Sequence, residues 1–231
     1  MHIRVASYNI HKGIGTDRLR RPERILDVLA EIDADIVALQ EADLRFGIRK
    51  SALPVELIAA QSDYIPVAFD TRPQSIGWHG NAILIKKSHM VFDHAILEIP
   101  TVEPRGAVIA DIAVRGTGLR IVAMHLDLSG LRRRQQVRHI VAQVEQRAPE
   151  MPTILMGDLN EWSRHGGCLT EFSGHHIAQT GPSFHSRRPM ARLDRIIVSR
   201  DLAVTDSGTH HSPKARRASD HLPVWADISL R

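Results

Sequence analysis

Eight short runs rich in β-branched residues, each stopping at or just before a polar residue, limit what this chain can fold into. They are IRVASYN, DIVALQ, NAILIKK, AVIADIAV, LRIVAMHL, PTILMG, LDRIIVS and PVWADISL. Runs of this length read as strands, and amphipathic helical stretches lie between them, so the pattern predicts an α/β (α+β) domain with helices packed outside sheets. The clearest helix is RPERILDVLAEIDA, where Pro22 sits near the first turn and Ile25, Val28, Leu29 and Ile32 recur at helical spacing. A second helix follows Pro54. A third, LRRRQQVRHIVAQVEQ, places Val137, Ile140, Val141 and Val144 on one side and crowds Arg132, Arg133, Arg134 and Arg138 at its start, as a solvated basic face. Cations in a first turn oppose the helix dipole by about 0.3–1 kcal/mol each, a conflict that a nearby anionic ligand relieves. The stretch GTHHSPKARRASD reads as a mobile basic loop leading into the last strand.

With 231 residues, 43% of them hydrophobic, the chain is long enough to bury one sizeable core, and no linker divides it, so residues 1–231 are expected to form a single domain. No run approaches the roughly 18 apolar residues of a membrane span, and the opening MHIRVASYNI reads as a strand and not as a signal peptide. A lone cysteine, Cys168, excludes an intrachain disulfide and fits a reducing compartment, so a cytoplasmic location is expected. The formal charge of +4 makes a polyanionic substrate plausible.

Polar residues recur where the strands end. Asn9 ends the first run, Glu41 follows the second, His125 and Asp127 close the fifth, Asp158 and Asn160 follow the sixth, and Asp220-His221 precede the last. Strand ends at one edge of a sheet lie about 5 Å apart per strand, so such residues can converge on one cleft. Each has a plainer reading. Gly157-Asp158 and Asn160 are turn formers, Glu41 is a carboxylate at a strand end, His125 continues the face of Ile121 and Ala123 as a core histidine would, and Asp220 to Pro223 could be a turn. Asp194 is harder to dismiss, because its face continues through Ile196 and Val198, and a buried carboxylate needs a partner such as a histidine.

The ordered set SYNIH, LQEAD, GNAILI, RGAVIADI, HLDLS, GDLNEW, RLDRIIVS and SDHLP resembles the endonuclease/exonuclease/phosphatase superfamily, the metal-dependent phosphoesterases related to DNase I, from Ser7 to about Trp225. The resemblance implies a four-layer sandwich, two central mixed sheets flanked by helices, with the site at one edge of the sheets. It implies that Glu41 is the principal carboxylate ligand of a divalent metal, Mg2+ with Mn2+ as the alternative ion, supported by Asn9 and Asp220. Hard cations take oxygen ligands, and Mg2+ keeps several waters, so few carboxylates suffice.

By the same resemblance, Asp158 orients and deprotonates the attacking water and Asn160 donates its amide to the phosphate. An extended backbone would send both side chains to one face. His221 acts as an imidazolium that Asp194 orients, and His125 resembles a second acid or phosphate ligand of DNase-like and sphingomyelinase-like members, commonly a tyrosine in abasic-site nucleases. Arg105 is a candidate phosphate contact, since its fork of donors suits phosphate, and Trp162 either flanks the site or packs.

The segment TGPSFHSRRPMARLD carries one phenylalanine and several arginines where abasic-site nucleases carry tryptophans, so a specialised DNA-repair role is not expected. A nucleic-acid phosphodiesterase is favoured by the basic balance and by Arg45, Arg49, Arg105 and the Arg132 to Arg138 cluster; aromatics at 4% leave few stacking platforms, so any grip falls on the backbone. The alternative is a phospholipid or small-molecule phosphate-ester hydrolase, for which SIGWHGN, with Ile76 and Trp78, is the modest apolar loop. A non-catalytic phosphate-binding module requires lost site residues, and none is lost. A zinc site at His175-His176 or His210-His211 is disfavoured, because adjacent side chains point apart.

Overall fold

In a computed structural model, which describes residues 2–44, 50–69, 74–101 and 103–231, the eight expected runs all form strands. In chain order the elements are β1 (His2–Asn9), α1 (Glu23–Ile32), β2 (Ile36–Gln40), α2 (Val55–Gln61), β3 (Tyr64–Pro66), β4 (Ala82–Lys86), β5 (Met90–Leu97), β6 (Gly106–Val114), β7 (Thr117–His125), α3 (Gly130–Glu145), β8 (Thr153–Asp158), β9 (His176–Ile177), β10 (Asp194–Val198), β11 (Leu202–Thr209), α4 (Pro213–Ala218) and β12 (Val224–Leu230). Two mixed six-stranded sheets result, ordered β11-β12-β1-β2-β4-β3 and β5-β6-β7-β8-β10-β9.

The period-two side-chain alternation of strands explains the layering. Ile3 and Val5 of β1, Ile36 and Ala38 of β2, Ile121 and Ala123 of β7, Ile154 and Met156 of β8, and Ile196 and Val198 of β10 meet in one buried layer between the sheets. The opposite faces are covered by helices. Ala6, Tyr8, Val37 and Leu39 pack with Ile25, Val28, Leu29 and Ile32 of α1. Val122, Met124, Leu155 and Ile197 pack with Val137 and Ile140 of α3. The architecture is the expected α/β/β/α sandwich.

Two expectations are corrected. GTHHSPKARRASD is ordered: its first residues end β11, and Ser212 caps α4 by accepting the Ala215 N–H at 3.0 Å, with Pro213 in the first turn. The start of α3 is not a uniformly solvated basic face, because Arg133 is buried against Glu161 at 3.2 Å, and Arg138 pairs with Glu171 at 2.8 Å. A buried guanidinium is stable only with such a partner.

Candidate active site

The inter-sheet face does not stay apolar to its end. On β1 the series Ile3, Val5 and Ser7 ends in Asn9; on β7, Ile121 and Ala123 end in His125; on β8, Ile154 and Met156 end in Asp158; and on β10, Val198 and Ile196 lead back to Asp194. His125 is paired with Asp158, and Asp158 with Asp194, in the strand register. The same alternation that builds the core therefore delivers four polar side chains to one end of it.

Asp158 lies at the centre, 1% exposed. Its Oδ2 accepts from Asn9 Nδ2 at 3.0 Å across the gap between the sheets, and stands 3.4 Å from His125 Nε2 and 3.8 Å from His221 Nε2. Its Oδ1 accepts the backbone N–H of Asn160 at 2.9 Å. This last bond corrects the expected extended backbone: Asn160 has φ of +50°, so the chain turns there, and its Nδ2 donates to the Leu126 carbonyl at 3.0 Å. Asparagine tolerates the left-handed region better than most residues, which suits it to this corner. The turn leads to Trp162, which is 67% exposed and edge-on to Phe184 at 6.3 Å. Phe184 in turn lies 4.9 Å from His221, so Trp162 flanks the site.

The buried acid Asp194 meets the histidine that its burial demands. His221 Nδ1 donates to Asp194 Oδ2 at 2.8 Å, while Asp194 Oδ1 has no hydrogen-bond partner among the described residues. Burial pulls the His221 imidazolium down, but Asp194, Asp158 and Asp220 outweigh it and push it up to about 10, so the ring is charged at neutral pH. His125 goes the other way. Burial, reinforced by the Arg105 guanidinium against the opposing pull of Asp158 and Glu41, lowers it to about 4. Its Nε2 is hydrogen-bonded to Arg105 Nη1, in keeping with a neutral ring that accepts. The structure thus places His125 beside Asp158 and Arg105, within the cluster where it was expected.

Glu41 follows β2 with φ of +53°, and a Cβ on Gly80 would come within 3.2 Å of its Cα, so the chain is pressed closely at this turn. Its carboxylate is salt-bridged to Lys12. Burial raises it, but His125, Lys12 and His11 outweigh burial and hold it down at about 2. Asp220 is half-buried, 3.7 Å from His11 Nδ1, and Ser219 beside it donates to the Asn9 carbonyl at 2.7 Å. Lys12, Glu41, His79, Arg105 and His125 line an open cleft.

Sequence reasoning missed Lys12, His11, Ser219 and Phe184 here. His11 and Ser219 fall within SYNIH and SDHLP, and Phe184 is the single phenylalanine of TGPSFHSRRPMARLD, which were the available signals; nothing local pointed to Lys12. Arg45 and Arg49 lie outside the described residues. Ile76 is core and Trp78 packs partly buried against the inter-sheet layer, which corrects their reading as an apolar surface loop.

Two groups of side chains bear on a metal. Among the described residues, Asp158, Asp194 and His221 present ligand atoms within 4.8 Å of one another. The His221–Asp194 hydrogen bond already accounts for that approach. Glu41 and Asp220 carry carboxylates and Asn9 an amide oxygen, the donor type a hard divalent ion takes, and Glu41 already draws a cation in the Lys12 ammonium. His210, from the second histidine pair, is engaged with Glu31 at 2.8 Å.

Comparison with known proteins agrees with this fold. The Escherichia coli K12 protein YbhP, described as uncharacterized, is 27% identical and covers 98% of this chain and 96% of its own. The Bacteroides vulgatus endonuclease/exonuclease/phosphatase structure superposes with a TM-score of 0.79 at 20% identity over 100% of both chains. The Bacteroides thetaiotaomicron mannosyl-6-phosphatase Bt3783 gives 0.77 at 19% identity, covering 99% of this chain and 100% of its own. D. rerio TDP2 complexed with single-strand DNA product gives 0.74 at 18% identity over 99% of both. The model of the Endonuclease/Exonuclease/phosphatase family, whose members hydrolyse phosphoester bonds and generally use divalent metals, matches residues 6–221. The acid and histidine side chains gathered between two sheets are thus those of a chain that belongs to the Endonuclease/Exonuclease/phosphatase family.

Proposed function

We propose that the protein, acting as one domain, is a divalent-metal-dependent phosphodiesterase in which water attacks phosphorus at the Asp158 cluster. The observation that carries this reading is the buried Asp158 carboxylate held by Asn9 from the opposite sheet, with His221 and His125 both within 4 Å. Asp158 takes the proton of the attacking water and lines up its oxygen. His221, kept charged by Asp194, faces the negative charge that grows on the phosphoryl oxygens. Arg105 and Asn160 border the phosphate as hydrogen-bond donors, and neutral His125 orients Arg105. Glu41, with Asn9 and Asp220, would hold Mg2+ or Mn2+, which supplies positive charge against the phosphoryl oxygens.

The reading of nucleic acid as the substrate draws support from the net charge of +4 and from the DNA-bound TDP2 relative. It loses Arg133 and Arg138, which are committed to Glu161 and Glu171. The phosphatase name of Bt3783 keeps soluble phosphate esters in view. A cytoplasmic site of action is consistent with the buried free thiol of Cys168, and cell fractionation checks it.

The test is hydrolysis of bis-p-nitrophenyl phosphate and nicking of supercoiled plasmid at low salt with Mg2+, using wild type, wild type with chelator, and folded Asp158→Ala. Loss of both activities in both controls supports the reading, with at least about a 100-fold fall expected for Asp158→Ala. Full bis-p-nitrophenyl phosphate turnover by Asp158→Ala refutes it. Hydrolysis of that ester without nicking removes nucleic acid as the substrate.

A further inference from the structure

Four large apolar side chains project into solvent beside the cleft: Leu128 at 60% exposure, Leu131 at 70%, Trp162 at 67% and Met190 at 74%. They come from three segments that the structure links one to the next. Leu128 gives its carbonyl to Arg133 Nη1 at 2.7 Å, and Arg133 Nη2 reaches Glu161 at 3.2 Å, next to Trp162. Trp162 meets Phe184, and the Met190 N–H donates to the Phe184 carbonyl at 2.8 Å. The same rim borders the chemistry, through Asn160 on Leu126 and Phe184 on His221.

Its charge is one-sided. Residues 128–134, 162–167 and 185–190 contain six arginines and no aspartate or glutamate. Arg133 is committed to Glu161, while Arg132, Arg134, Arg164, Arg187 and Arg188 are exposed and form no salt bridge among the described residues. Exposed apolar side chains cost free energy in water, and grouped on one rim they mark an interaction surface. A nucleic acid would satisfy the arginines and stack on Trp162, but Leu128, Leu131 and Met190 offer no ring face to a base. A bilayer with anionic headgroups satisfies both: acyl chains receive the aliphatic side chains, the interface receives the indole, and the headgroups receive the guanidinium groups.

We propose that this rim docks the protein on an anionic phospholipid surface and presents the cleft to a headgroup phosphodiester. The substrate half of the inference rests on the phosphodiesterase reading; the docking half does not. Hydrolysis there would bond the water oxygen to phosphorus and break one P–O bond, its alcohol leaving with the proton taken from water.

The experiment is co-sedimentation of the full chain with vesicles of phosphatidylcholine alone and of phosphatidylcholine with phosphatidylglycerol, for wild type and for the triple variant Leu128→Ser, Leu131→Ser, Met190→Ser. A single-stranded oligonucleotide serves as competitor, and bis-p-nitrophenyl phosphate turnover is measured in parallel. The expected result is wild-type binding to the anionic vesicles only, weakened at least about tenfold in the triple variant, with turnover of the soluble ester retained. No vesicle binding by a wild type that turns over the soluble ester overturns the docking proposal and leaves the phosphodiesterase reading standing. Equal vesicle binding by a folded triple variant also overturns it, as does an equal loss of oligonucleotide binding in that variant, which would make the rim a nucleic-acid surface. Vesicle binding without any ester turnover upholds the docking surface and removes the phosphodiesterase reading.

Discussion

Replacing Asp194 by asparagine isolates what holds His221 charged. The exchange keeps size and shape at a position of zero exposure, but deletes the carboxylate that His221 Nδ1 meets at 2.8 Å. In the wild type, Asp194, Asp158 and Asp220 raise His221 to about 10 against burial. Because the folded value lies above the ordinary imidazole value of about 6.5, protonation of His221 contributes stability that is full below that value and is lost as pH rises through the folded one. At pH 7 the linked contribution is about 4 kcal/mol, an order-of-magnitude figure. Without Asp194, burial is opposed chiefly by Asp158, and the imidazole becomes neutral near physiological pH.

Asp194→Asn should therefore be destabilised at pH 7 by a few kcal/mol and progressively less toward pH 10, as urea unfolding followed by tryptophan fluorescence can report. Its kcat on bis-p-nitrophenyl phosphate at pH 8 should fall by about 100-fold or more, with the alkaline limb of the pH profile moved to lower pH. Wild-type kcat at pH 8 with an unmoved alkaline limb would refute the reasoning.

Glu41→Ala should raise the Mg2+ concentration needed for half-maximal turnover, and a calorimetric titration showing unchanged metal affinity would contradict the role given to Glu41. Asp111→Ala should cost about 3–5 kcal/mol in urea unfolding, because Arg120, buried in a two-pronged pair at 2.8 and 2.9 Å, would be left without its countercharge; replacing both by apolar residues should cost less. Cys168 is fully buried, and burial together with Glu161 pushes its thiol up to about 12, so native protein should react with a thiol reagent only on unfolding.

The eight strands legible in the sequence are the eight inner strands, and the four it did not reveal, β3, β5, β9 and β11, are the four sheet edges. An inner strand is covered by neighbours and by a layer on each face, so its residues must be apolar and β-branched. An edge strand such as β5, MVFDHAIL, is mostly exposed or half-exposed and keeps no such pattern. The same logic governs the site. Asn9, His125 and Asp158 were legible because each stands where an apolar run ends, and Asp194 because its face continues through apolar residues, whereas Arg133 reads as a surface cation until Glu161, distant in sequence, folds against it. The left-handed turn at Asn160 was also out of reach, since asparagine occupies extended and left-handed conformations alike.

The Asn9–Asp158 bond couples chemistry to completion of the fold. One partner belongs to each sheet, so neither sheet alone holds the Asp158 carboxylate in place. His221 enters just ahead of β12, which pairs with β1 and extends the sheet that carries Asn9. A chain interrupted between Asp158 and His221 carries Asn9 and Asp158 yet lacks the imidazole that stands 3.8 Å from that acid. The cluster around Asp158 is thereby complete only when both sheets and the segment leading into β12 are in place.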